Sequence, residues 1–542
     1  MEQTNKTSRP NIILILVDDM GFSDLGIMGS EIRTPHIDAM AKRGVLLSAM
    51  YNCGRCCPTR AALLTGLYPH NAGVGHMGAN LGTPAYQGFL RKDAVTIAEV
   101  LQQNDYRTFM TGKWHVVGDL VTTQMNNWLP QSEAHPTPRK RGFDRFYGVL
   151  DGVTHFFSPH YNLVEDESRA EITADDYYFT DAITDKAIEM IQESTAEDKP
   201  FFLYLAHTAP HWPLHAPAED IAHYDGVYAK GWDAIRTARH EEMLSRGVLQ
   251  HRWEISPRDK EAPPWPNIAH ADWEASKMAT YAAMIDRMDQ SIGRLLDQLK
   301  QLDQYDNTLI MFLSDNGGCA EFMAEDGWAQ FFPDHTQDGR KITMGNHPNI
   351  RPGGPQTYQS YDLPWANVSN TPFRLFKHWV HEGGISTPMV VQWPAQIKEA
   401  SIQHAACHVV DILPTILQAA GASYPTEYNH HEIQPLDGES LLSLFEADNN
   451  WEREQPIFWE HEGNCAIRLG QFKLVREFDR PWELYDMEVD RTELHNLIGK
   501  NEPLTQQLIK AYEAWAHTAG VLDWRVALPR LQALWQMNDV HG

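Results

Sequence analysis

The sequence contains little cysteine and no long apolar segment, and both shortages restrict what the protein can be. Its six cysteines in 542 residues are too few for the disulfide framework of a small secreted domain. The first apolar run, Ile12–Val17, is too short for a signal-peptide core or a membrane span, and no other segment approaches a span. As written, the sequence predicts a soluble, cytoplasmic protein, or a periplasmic or secreted one if a signal peptide was removed.

Positive charge is scarce as well. The chain has 45 Lys and Arg against 72 Asp and Glu, which gives a formal net charge of −27. This excess of negative charge argues against nucleic acid or an anionic membrane as a partner, because both are polyanions. Such a protein can bind an anionic ligand only where its few cations are concentrated, so we expect a local cluster of positive charge at any such site.

The length predicts two structural units. A chain of 542 residues exceeds the size at which a single core stops growing. We predict a large domain over residues 1–450 and a smaller α+β domain with a tail over residues 451–542. The smaller domain is predicted to hold an antiparallel sheet and a helix. The candidate strands are Pro456–Glu460, Cys465–Arg468, Lys473–Glu477 and Trp482–Tyr485, and the candidate helix is Leu504–Ala516.

In the larger domain, apolar runs of strand length alternate with amphipathic helical segments. The runs that predict buried strands are Ile12–Val17, Arg107–Thr111, Pro200–Ala206, Leu309–Leu313 and Met389–Trp393. The predicted helices are Thr96–Gln103, Asp181–Ile191 and a long segment whose apolar residues keep a three-four spacing from Met278 to Leu299. This alternation predicts an α/β sandwich with a large, mostly parallel central sheet flanked by helices.

Two segments interrupt this alternation. Tyr224–Asn267 is rich in Trp, His and charged residues, and Phe322–Trp365 is rich in Gly and Pro. We interpret both as excursions over the surface, of the kind that often shapes a binding site. His155, Phe156 and Trp232 are candidate pocket residues, although aromatic side chains near loops more often pack in the interior.

Charged and amide side chains follow three of the predicted strands where each strand ends. These residues are Asp18 and Asp19, Lys113 and His115, and Asp315 and Asn316. Open α/β sheets bind ligands beyond the carboxyl ends of their strands. Carboxylates together with an amide carbonyl suit calcium or magnesium rather than zinc. Either pair alone would favour a helix cap or a turn, and only the two pairs together favour a metal site.

The most informative segment is Cys56–Gly66, which reads Cys-Cys-Pro-Thr-Arg-Ala-Ala-Leu-Leu-Thr-Gly. Pro58 is favoured in the first turn of a helix, and this places Cys56 at a helix N-terminus. The N–H groups and positive potential there suit an anion and a developing oxyanion. A lone cysteine is usually a small buried apolar residue. A zinc site built with Cys53 and Cys57 would lack a second Cys or His pair at the usual spacing.

This segment resembles the signature of the type I sulfatases, bacterial arylsulfatases among them, which belong to the alkaline-phosphatase superfamily. Thr59 departs from that family, which usually has Ser at this position. Other segments resemble the family in its own order, and they are Gly112–His115, Arg141–Asp144, Ala209–Pro213, Gly231–Asp233, Asn370–Lys377, Glu382–Pro388, Val409–Thr415 and Trp482–Asp486. The resemblance covers most of the chain and is weakest after Val521. It implies an alkaline-phosphatase-like fold with residues 1–450 as the catalytic domain.

The resemblance also implies the reaction and its cofactors. A member of this family cleaves an aryl or carbohydrate sulfate monoester with a formylglycine, which a formylglycine-generating maturation enzyme makes by oxidising the cysteine that corresponds to Cys56. Ca²⁺ is the family's metal, and the residues would also suit Mg²⁺. Its implied ligands are Asp18, Asp19, Asp315 and Asn316.

The remaining roles follow from the resemblance too. Arg60 and Lys113 would hold the hydrated formylglycine, and Lys113 would also face the sulfate. His211 and Lys377 would bind the sulfate and protonate the leaving alcohol. His115 would take a proton from the second hydroxyl of the hydrate, which expels sulfate. These cations would form the local positive charge that an acidic protein needs.

Two alternatives remain open from the sequence. Phosphonate monoester and phosphodiester hydrolases share the formylglycine motif and the fold class, so the ester that is cleaved could be a phosphoryl ester. A catalytically silent protein could instead bind sulfated glycans through the same cations, with Cys56 left unmodified. The complete set of predicted ligands and bases favours the enzyme. No nucleic acid or membrane partner is expected.

Overall fold

A large mixed β-sheet, parallel through its centre, organises the structure. The computed structural model describes residues 9–118, 136–174, 176–325, 333–446 and 451–539, with side chains up to residue 534. Residues 326–332 of the predicted excursion and residue 450 at the predicted domain boundary lie outside these ranges, and the boundary stays a prediction. Among the described residues, no helix is long and apolar enough to cross a membrane.

The strands form one large sheet and three small ones. The large sheet comprises β1 (Asn11–Asp18), β2 (Val45–Tyr51), β3 (Arg107–Lys113), β4 (Arg145–Val149), β5 (Leu163–Glu165), β6 (Ser168–Arg169), β7 (Phe201–Pro210), β8 (Thr308–Ser314), β11 (Ser386–Gln392), β12 (Ser401–Gln403) and β13 (Cys407–His408). The small sheets comprise β9 (Thr343–Met344) with β10 (Thr357–Tyr358), β14 (Glu427–Tyr428) with β15 (His431–Glu432), and a set of four strands, β16 (Ile457–His461), β17 (Asn464–Leu469), β18 (Phe472–Arg476) and β19 (Glu483–Asp486).

The helices of the described residues cover both faces of the large sheet and the C-terminal region. They are α1 (Pro35–Ala41), α2 (Cys56–Thr65), α3 (Pro69–Ala72), α4 (Ile97–Gln103), α5 (Phe179–Ala196), α6 (Ala218–Ala222), α7 (Trp232–Ser245), α8 (Ala271–Gln301), α9 (Asp362–Ser369), α10 (Glu382–Ile385), α11 (Ile412–Ala420), α12 (Glu502–Ala519) and α13 (Trp524–Asp539).

The order of the large sheet is β12-β2-β11-β8-β1-β7-β3-β4-β5-β6, with β13 also paired to β2. The five strands from β8 to β4 run parallel, as the alternating sequence predicted. The predicted strand Met389–Trp393 lies in β11, which runs antiparallel to both of its neighbours. Because neighbouring strands in this set run parallel, the carboxyl ends of β8, β1, β7 and β3 lie at the same edge of the sheet.

Strand β1 shows why the sheet has helices on both faces. Its apolar run has no polar alternation, and its residues point in turn into two separate cores. Ile13, Ile15 and Val17 pack with α5 and α8, whereas Ile12, Leu14 and Leu16 pack with α2, α4 and α11. A strand that is buried on both faces has to be apolar throughout, and this makes it easy to recognise in a sequence.

The C-terminal residues form the predicted antiparallel sheet and helix. Strands β16, β17, β18 and β19 pair in sequence order. Leu508 and Tyr512 of α12 pack against Ile467 and Leu474 on one face of this sheet. Its other face packs towards Tyr51 at the end of β2, so the small sheet covers one end of the large one.

The interpretation of Tyr224–Asn267 as a surface excursion is wrong. This segment contains α7, whose first residue Trp232 is buried against Trp265 and Trp365. Arg239 of the same helix is buried and donates to Asp24 at 2.6 Å. The charged residues made the segment look exposed, but a charge can be buried when a distant carboxylate pairs with it.

Candidate active site

Four oxygen-bearing side chains meet at the carboxyl ends of β1 and β8. Asp18 is the last residue of β1, Asp19 follows it, and Asp315 and Asn316 follow β8. All four are buried. The backbone amide of Asp19 donates to Oδ1 of Asp315 at 3.3 Å, and Nδ2 of Asn316 donates to Oδ1 of Asp19 at 2.7 Å. The structure therefore brings together the residues that the sequence proposed as metal ligands.

Two oxygen atoms in this group have no partner within the described part of the chain. They are Oδ1 of Asp18 and Oδ1 of Asn316, and both are buried. Buried acceptors are almost always satisfied, because leaving one unpaired costs about 1–3 kcal/mol. Unpaired oxygens beside three carboxylates are what a hard divalent cation would bind, so the residues present fit such an ion.

Three buried cations surround the carboxylates. The Lys113 ammonium group donates to Asp18, and Nη2 of Arg60 donates to Oδ2 of Asp315 at 2.7 Å. The Lys377 ammonium group lies 2.9 Å from Oδ1 of Asp19. In a chain with a net charge of −27, this cluster supplies the local positive charge that an anionic ligand needs.

The cations also change the protonation of the carboxyl groups. Burial alone would raise the pKa of Asp18, but Lys113, His211 and Arg60 outweigh it and hold that pKa below its usual value. For Asp315, burial and the neighbouring Asp18 raise the pKa well above its usual value, although Arg60 opposes them. Burial and mutual repulsion therefore disfavour simultaneous ionisation of these carboxylates, and a bound cation would stabilise their ionised forms.

Cys56 is the first residue of α2, as Pro58 predicted, and it is buried. Its sulfur lies within 4.8 Å of the Cys57 sulfur and of a ring nitrogen of His115. A hydrogen bond with Cys57, together with nearby Lys113 and His115, lowers the pKa of the Cys56 thiol well below its usual value despite burial. The local field therefore favours negative charge at position 56.

His115 lies beside Cys56, with a ring nitrogen within 4.8 Å of the Cys56 sulfur. It follows β3 with φ of +57°, a left-handed conformation that few residues other than glycine adopt. Burial lowers the pKa of its imidazole to about 4, although the negative charge favoured at Cys56 opposes this. At neutral pH the ring is uncharged and can accept a proton.

His211 and Lys377 lie beside Asp19. The imidazole Nδ1 of His211 donates to the carbonyl oxygen of Trp212 at 2.7 Å, which directs Nε2 towards the cluster. Nε2 is 3.3 Å from the Lys377 ammonium group and 3.4 Å from Oδ2 of Asp19. The structure thus places all ten residues that the sequence proposed in one buried region around the ends of β1, β3 and β8.

Sequence reasoning missed three side chains that border this region. Glu321 accepts from Arg55 at 2.9 Å and from the indole N–H of Trp212 at 2.9 Å. Arg55 and Trp212 directly adjoin the predicted Cys56 and His211, and that adjacency is the one signal that could have pointed to them. Glu321 carries no local signal, because its partners lie more than a hundred residues away along the chain.

The prediction that His155, Phe156 and Trp232 line a pocket is wrong. All three are buried in the core. His155 bonds the carbonyl of Pro355 at 2.8 Å and packs against His215, with ring centroids 4.3 Å apart and ring planes tilted by 53°. Aromatic and imidazole rings near predicted loops pack inside here, as such rings commonly do.

A family model described as Sulfatase matches residues 10–422, which is most of the chain. The chain belongs to the sulfatase family. A second model, described as the C-terminal part of N-sulphoglucosamine sulphohydrolase, matches residues 373–516. Members of the sulfatase family generally use a formylglycine and a divalent metal ion.

Individual sulfatases match along nearly the whole length. The chain is 30% identical to an uncharacterized sulfatase of Schizosaccharomyces pombe over 95% of both proteins. It is 31% identical to an arylsulfatase of Klebsiella aerogenes over 81% of this chain and 92% of that protein. The crystal structure of Ps i-CgsB in complex with k-i-k-neocarrahexaose has 28% identity and a TM-score of 0.67, and the match covers 96% of this chain and 98% of that one.

These matches confirm the predicted family, the alkaline-phosphatase-like fold and the sulfatase activity. The chain is therefore an enzyme that hydrolyses sulfuric esters.

Proposed function

We propose that this sulfatase cleaves the sulfate monoester of a saccharide or an aryl alcohol with a formylglycine made from Cys56. The observation that carries the proposal is the position of Cys56, which lies at the start of α2 against His115 and near Lys113. Beside it lie the Asp18 carboxylate and the Asn316 amide, each with one oxygen that has no partner within the described residues. Nucleophile, proton acceptor, cations and metal ligands thus occupy one buried region.

The proposed metal ligands are Asp18, Asp19, Asp315 and Asn316, and their oxygen atoms suit Ca²⁺, with Mg²⁺ as the other hard cation they could take. When bound, the ion would act as a Lewis acid on a sulfate oxygen, while the hydrated formylglycine supplies the attacking hydroxyl.

Cations of the chain itself would bind and orient the sulfate group. Lys113, Lys377 and Arg60 are buried and charged, since nearby carboxylates hold the pKa of each above its usual value against the effect of burial. Fixed cations in a water-excluded site stabilise developing negative charge without reorganising. They bind the ground state of a tetrahedral anion as well, so they account for affinity as well as for rate.

Two imidazoles would move protons. His211 holds its Nδ1 proton on the Trp212 carbonyl and directs Nε2 towards the cluster, so the imidazole, when protonated at Nε2, would deliver that proton to the leaving oxygen, and Lys377 beside it is the other candidate donor. Neutral His115 would accept a proton at position 56 when sulfate departs. Replacing His115 with alanine is expected to slow steady-state turnover about 100-fold or more, while the first turnover still releases one equivalent of alcohol in a burst.

Thr59, where sulfatases usually have serine, is compatible with this proposal. Its hydroxyl oxygen accepts from the backbone N–H of Cys53 at 2.9 Å and so anchors the turn that precedes Cys56. A serine hydroxyl would make the same bond. The proposed maturation enzyme would therefore meet the same local backbone with either residue.

Turnover of defined substrates by Cys56→Ala tests the proposal. The wild-type protein is expected to release sulfate from 4-nitrophenyl sulfate or from a sulfated saccharide, and the variant to lose more than about 1,000-fold of that rate with its fold unchanged. Cys465→Ala is the matched control, because Cys465 is equally buried but lies in the C-terminal sheet. Undiminished turnover by Cys56→Ala would contradict the proposal. Faster turnover of a phosphonate or phosphate ester by the wild type would show that the enzyme prefers phosphoryl esters to sulfate esters.

A further inference from the structure

A second cluster of metal-ligand side chains lies close to the candidate active site but outside it. His76 comes from the loop after α3, and His461 and Glu462 come from the end of β16 and the turn that leads into β17. One donor atom of each residue lies within 4.8 Å of the other two. Nε2 of His76 is 2.8 Å from Oε1 of Glu462, and Nε2 of His461 is 3.6 Å from the same oxygen.

His461 lacks the hydrogen bonds that a buried imidazole requires. Its side chain is fully buried, yet neither ring nitrogen has a hydrogen-bond partner among the residues that the structure describes. Nδ1 of His76 is unpaired as well. Buried polar groups in folded proteins are nearly always satisfied, and a cation bound between these side chains would satisfy His461.

The types of side chain in the cluster suit a metal ion. Imidazole rings bind metals in their neutral form, and carboxylates bind them in their ionised form.

The groups around the cluster support the ligands. Nδ1 of His378 is 3.3 Å from Oε2 of Glu462, which orients the carboxylate from its second oxygen. The His76 ring packs against Trp524 with centroids 5.4 Å apart. Arg55 faces the same side, and its guanidinium group is already paired with Glu321 at 2.9 Å.

We propose that His76, His461 and Glu462 bind a divalent transition metal of the zinc type, separate from the ion of the candidate active site. Two imidazoles and a carboxylate favour zinc over calcium, which prefers oxygen ligands alone. Three protein ligands leave a position for water, as zinc sites with exchangeable ligands do.

The position of this site gives it a consequence for the enzyme. Its ligands come from two distant parts of the chain, so the ion fastens the tip of the β16–β17 hairpin to the loop after α3. The backbone N–H of His378, which adjoins the ligand carboxylate, donates to the carbonyl of Gly54 at 2.8 Å. Metal binding would thereby fix the backbone that leads into Cys56.

Zinc binding in the presence of excess Ca²⁺ tests the inference. Full-length protein is stripped with a chelator, reloaded with Ca²⁺ and dialysed against Zn²⁺, and bound zinc is counted by mass spectrometry. The wild type is expected to hold one equivalent. Glu462→Gln and His461→Ala are expected to bind it about 100-fold more weakly or worse, since even outer-shell changes cost 10–100-fold. His495→Ala removes an exposed imidazole and is expected to bind zinc like the wild type.

Two further readouts complete the test. Zn²⁺ is expected to raise the thermal midpoint of the wild type but not of Glu462→Gln, which is close in shape and carries the test if His461→Ala does not fold. Asp315→Asn is expected to retain the zinc. The inference is overturned if the wild type binds no zinc, if Glu462→Gln binds it equally well, or if Asp315→Asn loses it, because the last result would place the zinc in the candidate active site.

Discussion

Two buried charge clusters in this sulfatase differ in how completely the protein pairs them. The active-site cluster lies at the carboxyl ends of β1, β3 and β8. The second, here called the junction cluster, joins the C-terminal sheet to the large sheet and comprises Glu382, Lys473, Arg491 and Glu493. All four of its side chains are buried.

Every carboxylate oxygen of the junction cluster either accepts a hydrogen bond or lies against a cation. Oε1 of Glu382 accepts from Lys473 at 2.9 Å, and Oε2 accepts from Tyr51, Arg491 and the hydroxyl of Ser386. Oε1 of Glu493 accepts no hydrogen bond within the described residues but lies 2.8 Å from the Lys473 ammonium group, and Oε2 accepts from the Glu382 backbone amide. Both carboxylates are thus paired with cations of the chain itself, and the role of this cluster is structural.

The active-site cluster contrasts with this at two atoms, Oδ1 of Asp18 and Oδ1 of Asn316, which are buried without a partner in the described structure. Burial alone therefore does not distinguish a functional site from a structural one, since both clusters are equally buried. Unsatisfied buried acceptors mark the place where the fold leaves room for a cation and a substrate.

The largest expected effect comes from Asp315→Asn, which keeps the shape of the site and removes one carboxylate. Loss of the metal should lower sulfate-ester turnover more than about 1,000-fold, since a bound ion contributes several kcal/mol to the transition state. Elemental analysis should show less calcium per chain. Between the metal-free proteins, the free energy of unfolding should differ by less than about 1 kcal/mol, because burial and Asp18 already disfavour ionised Asp315.

Two results would contradict the proposed difference between the active-site cluster and the junction cluster. Asp315→Asn could retain full metal stoichiometry, or its metal-free form could be several kcal/mol less stable than the metal-free wild type. The first result would exclude Asp315 as a ligand. The second would make this cluster structural, like the junction cluster.

The opposite outcome is expected for Lys473→Met in the junction cluster. Removing the cation leaves buried Glu493 without its ion-pair partner and Glu382 with Arg491 alone, and we expect a loss of about 3–5 kcal/mol in the free energy of unfolding. The fraction that remains folded should turn over substrate at the wild-type rate. Urea unfolding measures the loss, and Lys500→Met, at an exposed position, is the matched control. An unchanged midpoint would show that the junction cluster does not stabilise the fold.

The pH dependence of stability sharpens the comparison. Burial would raise the pKa of Glu382, but Lys473, Arg491 and Arg468 outweigh it and hold the pKa at about 2, below the usual 4.5. Ionised Glu382 therefore contributes about 3 kcal/mol to the free energy of unfolding above pH 4.5. This contribution is lost as the pH falls towards 2 and the carboxylate becomes protonated. The difference in unfolding free energy between wild type and Glu382→Gln should therefore shrink below pH 4.5. A difference independent of pH would contradict this assignment.

The smallest expected effect belongs to Thr59→Ser. It preserves the acceptor for the Cys53 amide and removes one buried methyl group, so it should cost about 1 kcal/mol of stability and leave conversion of Cys56 unchanged. Thr59→Val keeps the volume and removes the acceptor, and it should cost about 1–3 kcal/mol. Equal effects of the two variants would mean that the hydroxyl does not anchor this turn.

The central strands β1, β7 and β8 could be predicted because they are buried on both faces and contain long apolar runs. The antiparallel direction of β11 could not, since direction depends on how distant segments connect. Six strands of the large sheet were missed, namely β2, β4, β5, β6, β12 and β13. Strand β2 contains Ser48 and Tyr51, whose polar groups reach partners far along the chain, His404 and Glu382.

The same reasoning separates the two charge clusters. The active-site residues could be proposed because they occur as short motifs at the ends of strands, such as Asp18-Asp19 and Asp315-Asn316. The junction cluster has no such signal, because Lys473 and its partner Glu382 are isolated charges 91 residues apart. Such pairing depends on the fold and cannot be predicted from the local sequence around either residue.

The central claim is tested most directly by the mass of the tryptic peptide Cys56–Arg60, which trypsin releases after Arg55 and Arg60. Protein from its native host is expected to carry the formylglycine aldehyde at position 56. An unmodified cysteine in that protein would contradict the account, and it would favour instead a silent protein that binds sulfated glycans through its cluster of cations.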